Sequence, residues 1–232
     1  YGYMIYQNSD YFKFSLDSVL LAEFVDLKSG QKEILDLCSG NAPIPMILSK
    51  RFGNKIHITG VEIQEDVYDL GIKSIEYNKI DNIEFLNEDV NNLPDIFKNN
   101  RFNIITCNPP YFKVNETNYI NDNETKAIAR HEILCTLEDV VSQAAAVLKD
   151  RGRFYMVHRP FRLAEIFQVL MKYKLEPKRM QLVYPYIDRE PNMVLIEARK
   201  GGNSRITVER PLIVYEKPGV YTSDILEIYG RV

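Results

Sequence analysis

The sequence predicts an α/β fold: a mostly parallel, seven-stranded sheet with helices on both faces and an antiparallel strand pair toward the carboxyl terminus. Three observations predict it. Short apolar runs at 33–38, 57–61, 83–86 and 102–107 have strand length without polar alternation, as strands covered on both faces do. Stretches with helical spacing separate most of them, which is the repeat that builds parallel sheets. Finally, the runs Met180–Tyr184 and Met193–Ala198 follow one another with only the loop Pro185–Pro191 between them, as an antiparallel pair would.

In chain order, an aromatic segment leads to Leu16, Val19, Leu20 and Phe24 at helical spacing, with Asp17 in the first turn. Glu33–Cys38 is the first strand. Ser39-Gly40-Asn41-Ala42 then forms a small-residue loop before a helix carrying Ile44, Ile47 and Leu48. Strand His57–Val61 ends at Glu62, and the next helix places Val67, Leu70 and Ile75 on one face, with Gly71 permitting close approach to the sheet. Ile83–Leu86 is the third strand and leads to Asp89. Phe102–Cys107 is the fourth and runs into Asn108-Pro109-Pro110-Tyr111. Residues 112–130 are polar and asparagine-rich without a period, a lid or substrate clamp beside the site, or a disordered segment. Thr136 and Asp139 form a capping box for a helix whose apolar face runs from Leu137 to Leu148 and which stops before Gly152. Arg153–Val157 is the fifth strand, after which His158 and Arg159 emerge and Arg162 opens a further helix. The tail from Arg205, with Ile213, Val214 and Tyr215, has room for one more short strand.

Composition fits one globular domain of 232 residues, 45% hydrophobic and 26% charged, with an aromatic and helical cap over 1–30 and a tail over 203–232. No apolar run approaches the roughly 18 residues of a membrane span, and no basic, hydrophobic leader opens the chain, so a cytoplasmic protein is expected. Cys38, Cys107 and Cys135 are odd in number and lack C-x-x-C spacing, which suggests neither a disulfide framework nor a metal site. Charge is uneven: residues 1–100 carry 9 Lys+Arg against 16 Asp+Glu, and the remainder carries 20 against 16. The acidic half suits a cationic cofactor and the basic half a polyanion, although a solvated surface has the same look.

The strand ends carry the chemistry. Asp36, Glu62, Asp89 and Asn108 fall together at the carboxyl edge of a parallel sheet, where such folds bind ligands. Pro43 and Pro45 remove backbone donors from the helix after the loop, which disfavours a pyrophosphate and favours a cofactor without phosphates. Three carboxylates favour a cation, and S-adenosylmethionine is both cationic and phosphate-free. Glu62 stands where an acid takes ribose hydroxyls, or is simply a solvated strand end. The Asn-Pro-Pro-Tyr turn leaves the sheet abruptly, because neither proline donates to a ladder. It offers an amide oxygen, a backbone carbonyl and a flat ring, which together suit an adenine amino group, or it is a strand-terminating turn with a core tyrosine.

Asp36-Leu37-Cys38-Ser39-Gly40-Asn41-Ala42, Gly60-Val61-Glu62-Ile63-Gln64, Asn108-Pro109-Pro110-Tyr111-Phe112, Ala129-Arg130-His131-Glu132 and Phe14-Ser15-Leu16-Asp17 resemble the bacterial tRNA1(Val) adenine-37 N6-methyltransferases over nearly the whole chain. The resemblance implies a Rossmann-like class I methyltransferase that uses S-adenosylmethionine and no metal, acts on the anticodon stem-loop of a tRNA, and is a monomer or weak dimer. It implies cofactor contacts from Phe14, Asp17, Asp36, Cys38, Ser39, Gly40, Asn41, Glu62, Ile63, Asp89, Val90 and Asn108. Asn108, Pro109, Pro110 and Tyr111 would serve catalysis, and Tyr111, Phe112, Lys126, Arg130, His131, His158, Arg159 and Arg162 would meet the substrate. Lys149, Arg151, Arg153, Lys172, Lys174, Lys178 and Arg179 are further candidates for phosphate contacts.

Two positions depart from that family's pattern: Ala42 and Pro43 stand where a third glycine and an aliphatic residue are usual, so cofactor affinity is expected to be weaker or unchanged. The turn alone also suits methylation of a glutamine amide in a release factor. That family carries an extra N-terminal helical domain, whereas Glu33 already opens the first strand here. A non-catalytic RNA-binding protein of the same fold is the reading from another class.

Overall fold

The computed structural model of the chain describes residues 2–7, 16–97, 100–109 and 135–230. Its frame is one sheet in the order β3-β2-β1-β4-β5-β7-β6, built from β1 (Glu33–Leu37), β2 (His57–Glu62), β3 (Ile83–Asn87), β4 (Phe102–Cys107), β5 (Leu148–His158), β6 (Leu175–Tyr184) and β7 (Met193–Lys200). β1 to β5 are parallel; β7 runs antiparallel between β5 and β6. The expected mostly parallel sheet and antiparallel pair are therefore present.

Two helical layers cover it. α1 (Leu16–Phe24) and α2 (Pro43–Phe52) bury Val19, Leu20, Ile44 and Ile47 against Ile34, Ile58, Ile104 and Val157. On the same face α3 (Glu65–Tyr77) packs Ile75 on Phe85. The other face receives α4 (Leu93–Ile96), α5 (Leu137–Val147) and α6 (Leu163–Lys172), through Leu93, Val140, Ala144, Ile166 and Leu170, against Leu35, Leu37, Ile105 and Met156. β1 is buried at four of its five positions, which explains its unbroken apolar pattern.

Two elements differ from the sequence expectation. β5 begins at Leu148, five residues before the expected start at Arg153, because Leu148 already pairs with Phe102 and the register then slips before Ile104 meets Arg153. Lys149-Asp150-Arg151-Gly152 reads as a turn, and Arg151 does take a φ of 61°. The tail is also richer than one strand. β8 (Thr207–Val208) and β9 (Leu212–Ile213) extend the sheet beyond seven strands by pairing with β6, and β10 (Tyr215–Lys217) and β11 (Val220–Tyr221) make a hairpin before α7 (Ser223–Ile228). Its tyrosines pack in sequence: Tyr186 on Tyr215, Tyr215 on Tyr221 and Tyr221 on Tyr229, with ring centroids 5.1–5.8 Å apart.

Candidate active site

The parallel register aligns the carboxyl ends of the strands. Leu37 is level with both Val61 and Cys107, Glu62 with Asn87, and Cys107 with Met156, so Asp36, Glu62, Asn108 and His158 all reach the same edge.

The loop between β1 and α2 is tightly built. Cys38, Gly40 and Ala42 all take left-handed φ values, of 54°, 57° and 66°. Two of the three carry a Cβ, which makes this a strained segment. Ser39 ties it to β2: its hydroxyl donates to the Asp36 carbonyl at 2.9 Å and accepts from Val61 N at 3.1 Å. Glu62, nearly buried, accepts from Gly40 N at 2.9 Å through Oε2 and from Gln64 N at 3.0 Å through Oε1. Its carboxylate is thus fixed beside the loop, with the geometry and charge to accept hydroxyl donors as well. Asn87 holds the backbone next to it by donating to the Glu62 and Ile63 carbonyls. Asp89 caps the turn after β3 by accepting from Asn91 N at 2.8 Å, and Val90 packs into the core.

Asp36 is 0% exposed. Its Oδ1 accepts from Thr106 Oγ1 at 2.5 Å, while Oδ2 is buried without a hydrogen-bond partner. Burial pushes its carboxyl up to about 7, partly offset by the hydrogen bond from Thr106 and by the nearby Ser39 hydroxyl, and the negative charge of Glu62 raises it further. Asn108, half-buried, donates from Nδ2 to Ser18 Oγ at 3.3 Å, which joins the end of β4 to the first turn of α1. Asp17 lies next to Ser18 and is also buried. Cys38, Cys107 and Cys135 come together under this edge, and their mutual proximity and burial hold all three thiols above the usual range. Cys107 is buried, whereas Cys38 and Cys135 are partly exposed.

Several expected site residues have other work. The side chain of Ser39 locks β1 to β2, and that of Asn41 donates to the Tyr6 carbonyl at 2.7 Å, tethering the amino-terminal segment. His158 is fully buried. Burial, then Arg162, hold its ring at a pKa of about 3, so the neutral ring accepts Arg159 N–H at Nδ1. The expectation that it meets a polyanion is corrected, since an enclosed, uncharged imidazole reaches no phosphate. Arg162 is nearly buried and pairs with Glu165; Arg159 is half-exposed and donates to the Asn192 carbonyl. Lys149, Arg151, Arg153, Lys172, Lys174 and Lys178 lie at the start of β5, the end of α6 and the start of β6, away from the edge where β4 ends, whereas Arg179 stands in mid-sheet, level with Tyr155, Thr106 and Asp36. Arg153 and Arg179 are moreover occupied with Asp26 and Glu197. Phe14, Pro110, Tyr111, Phe112, Lys126, Arg130 and His131, with the 112–130 loop, lie outside the described residues.

Sequence reasoning missed Thr106, Ser18, Gln64 and Asn87. Thr106 left a trace, as the polar residue in an apolar strand two places before Asn108 and so on the same face. Ser18 left none, because its role depends on how α1 packs.

The residues fit S-adenosylmethionine. An ideal Cβ placed on Gly40 would meet no atom within 4 Å, so the loop backbone opens onto space. Beside it stand a fixed carboxylate, Glu62, and a buried one with an orphaned oxygen, Asp36. Pro43 and Pro45 deny donors to a phosphate. Among the described residues no cluster of His, Cys, Asp and Glu can hold a metal, and no helix is long and apolar enough to cross a membrane.

The chain is 25% identical to a protein of Porphyromonas gingivalis over 84% of its own length and 76% of the relative's. It is also 25% identical to one of a Flavobacteriaceae bacterium, over 97% and 93%. Both are named tRNA1(Val) (adenine(37)-N6)-methyltransferase. Among solved structures it resembles a predicted O-methyltransferase of Agrobacterium tumefaciens, with a TM-score of 0.75, 22% identity and coverage of 94% and 97%. It also resembles geranyl diphosphate methyltransferase in complex with S-adenosylmethionine, with a TM-score of 0.58, 14% identity and coverage of 79% and 84%. The methyltransferase domain family matches residues 28–192, and the chain belongs to it as an S-adenosylmethionine-dependent enzyme.

Proposed function

We propose that this enzyme methylates the N6 amino group of an adenine in tRNA, with adenosine 37 in the anticodon loop of a valine tRNA as the specific target. The observation that carries the reading is the placement of Asn108. It follows the buried strand β4 at the cofactor edge, with its amide held from α1 and the buried Pro109 behind it. The names of the relatives support the same acceptor.

Adenine N6 is a poor nucleophile because its lone pair is delocalised into the ring. In this reading Asn108 Oδ1 and the Pro109 carbonyl accept its two hydrogens, drawing the nitrogen toward tetrahedral geometry, and Tyr111 stacks on the ring. Asp36, Gly40, Glu62 and Asp89 would hold the cofactor, which supplies an electrophilic methyl group. The protein's contribution is positioning and preorganised dipoles, so no strong base is needed. An anticodon-loop base is cheaper to unstack than a duplex base, and aromatic stacking, worth about 1–3 kcal/mol, offsets most of that cost.

Incubation with S-adenosylmethionine and unmodified tRNA transcripts, followed by digestion and mass analysis, tests this. N6-methyladenosine at position 37 of valine tRNA is the expected product. Methyl groups on guanine or on a release-factor glutamine would overturn the reading. No binding of S-adenosylmethionine in a calorimetric titration would favour the non-catalytic RNA-binding alternative.

A further inference from the structure

We propose that residues 3–6 form a strap that sets cofactor affinity, with Ser74 and Asn78 as positioning residues that act through Asn41. The inference rests on the reading that the cofactor lies at the loop after β1. The strap runs extended along α3 and alternates as a strand does: Tyr3 and Ile5 pack on the cluster of Ala42, Met46, Ile75 and Phe85, whereas Met4 and Tyr6 are exposed. Its backbone is bonded by side chains where a sheet would use a neighbouring strand. Asn78 Oδ1 accepts from Met4 N at 3.1 Å, and Asn78 Nδ2 donates to the Met4 carbonyl at 2.7 Å. Ser74 Oγ accepts from Tyr6 N at 3.0 Å and donates to the Leu70 carbonyl at 2.7 Å. Four residues of helix and two of strand both advance about 6–7 Å, so Ser74 on α3 and Asn78 at its cap match Tyr6 and Met4.

The strap reaches the cofactor loop through one further bond: the Tyr6 carbonyl accepts from Asn41 Nδ2 at 2.7 Å. A carbonyl can only accept, so Asn41 turns its NH2 toward the strap and its Oδ1 away from it. Asn41 is nearly buried and stands between Gly40 and Ala42, whose left-handed φ values make the loop costly to hold. Ser39 and Glu62 tie that loop to β2, and the strap ties it to α3. A docked strap therefore orders the loop before the cofactor arrives, and a cofactor that needs the ordered loop binds more tightly for it. By linkage, the bound cofactor tightens the strap in turn.

Asn78→Ala tests the proposal from outside the cofactor loop, because it removes both bonds to Met4. Titration calorimetry with S-adenosylmethionine should show affinity about three- to tenfold weaker, the factor that one net hydrogen bond is worth. The KM for the cofactor should rise with it, while kcat at saturating cofactor stays near wild type. In an Asn41→Ala background, Asn78→Ala should have no further effect on affinity. Wild-type affinity in Asn78→Ala, additive losses in the double variant, or a loss confined to melting temperature would overturn the proposal. Hydrogen exchange supplies a second readout that needs neither a variant nor RNA. The Met4 and Tyr6 amides of the wild type should exchange more slowly with saturating cofactor, and unchanged exchange would also sink the inference. If Asn41→Ala alone binds the cofactor as the wild type does, the parent placement of the cofactor at this loop fails, and the strap's role with it. A weakened Asn41→Ala beside an unaffected Asn78→Ala removes the strap's role and leaves that placement standing.

Discussion

Thr106 donates its hydroxyl to Asp36 across the β1–β4 pair at 2.5 Å, inside the sheet and out of reach of solvent. This one contact leaves Asp36 with a filled and an unfilled oxygen, and burial pushes its carboxyl up to about 7. A carboxylate at the end of the first strand is therefore neutral in mildly acidic solution and charged in mildly basic solution.

Cofactor affinity should follow that titration. A cationic donor is attracted by ionised Asp36 and not by the neutral acid, so affinity should rise close to tenfold per unit below about pH 6 and level off above about pH 8. Titration calorimetry between those limits checks this, and Asp36→Asn should flatten the profile at its low-pH level.

The same shift predicts a stability effect of opposite sense. The folded state binds the Asp36 proton more tightly than the unfolded chain, from 3.8 up to about 7. The stabilisation from this group is therefore fully present below pH 3.8 and is lost as pH rises through 7, a change of about 4 kcal/mol. Asp36→Asn should accordingly raise the melting temperature of the cofactor-free protein at pH 8 while weakening the cofactor, separating what the residue does for binding from what it costs in folding.

Ala42, where a glycine is usual in the resembling family, sits at φ 66° and is fully buried. Ala42→Gly removes a left-handed penalty of roughly 1–2 kcal/mol but loses a buried methyl worth about 0.8 kcal/mol and adds freedom to the unfolded chain. These nearly cancel, so stability should change by less than about 1 kcal/mol with cofactor affinity retained. Ala42→Val has no such balance: a β-branched residue resists this φ, and its midpoint in urea should drop sharply.

The strands were legible and the side-chain assignments were less so, for physical reasons. β1, β2 and β4 are enclosed on both faces, and that enclosure forces apolar runs which any reader of the sequence sees. Asp36, Glu62 and Asn108 interrupt those runs at their ends, and the parallel register makes them neighbours. Ser39 and Asn41 carry residue types suited to either a ligand or a lock, and only coordinates show their partners to be Val61 and Tyr6. β5 concealed its beginning because a register slip lets a charged, glycine-containing turn lie inside a strand. The places of the basic residues were illegible for a different reason, since composition counts charges without saying at which edge of the sheet they sit.

Gly71 permits the close approach that its place in α3 suggested. An ideal Cβ there would lie 2.4 Å from Phe85 Cε1, and Phe85 is itself stacked on Tyr68 at 5.3 Å. Gly71→Ala should cost about 1–3 kcal/mol by overpacking, seen as a lower urea midpoint. Phe85→Leu in the same chain should recover part of the loss, because the clash is with the ring.

Geometry also separates the cations at the edge where β4 ends from those at the other edge. Arg159 follows β5 at the carboxyl edge of the parallel strands, half-exposed, with Nη1 on the Asn192 carbonyl at 2.8 Å. Lys174 lies between α6 and β6 at the other edge. If the acceptor enters at Asn108, a phosphate near it is neutralised by Arg159, and Arg159→Ala should weaken tRNA binding several-fold and lower the salt-dependence slope by about one counterion. Lys174→Ala should leave both unchanged, although it removes the same formal charge. Filter binding over a range of salt concentrations distinguishes the two, and equal effects from both variants would mean that tRNA is held by the overall charge of the chain and not by the edge where β4 ends.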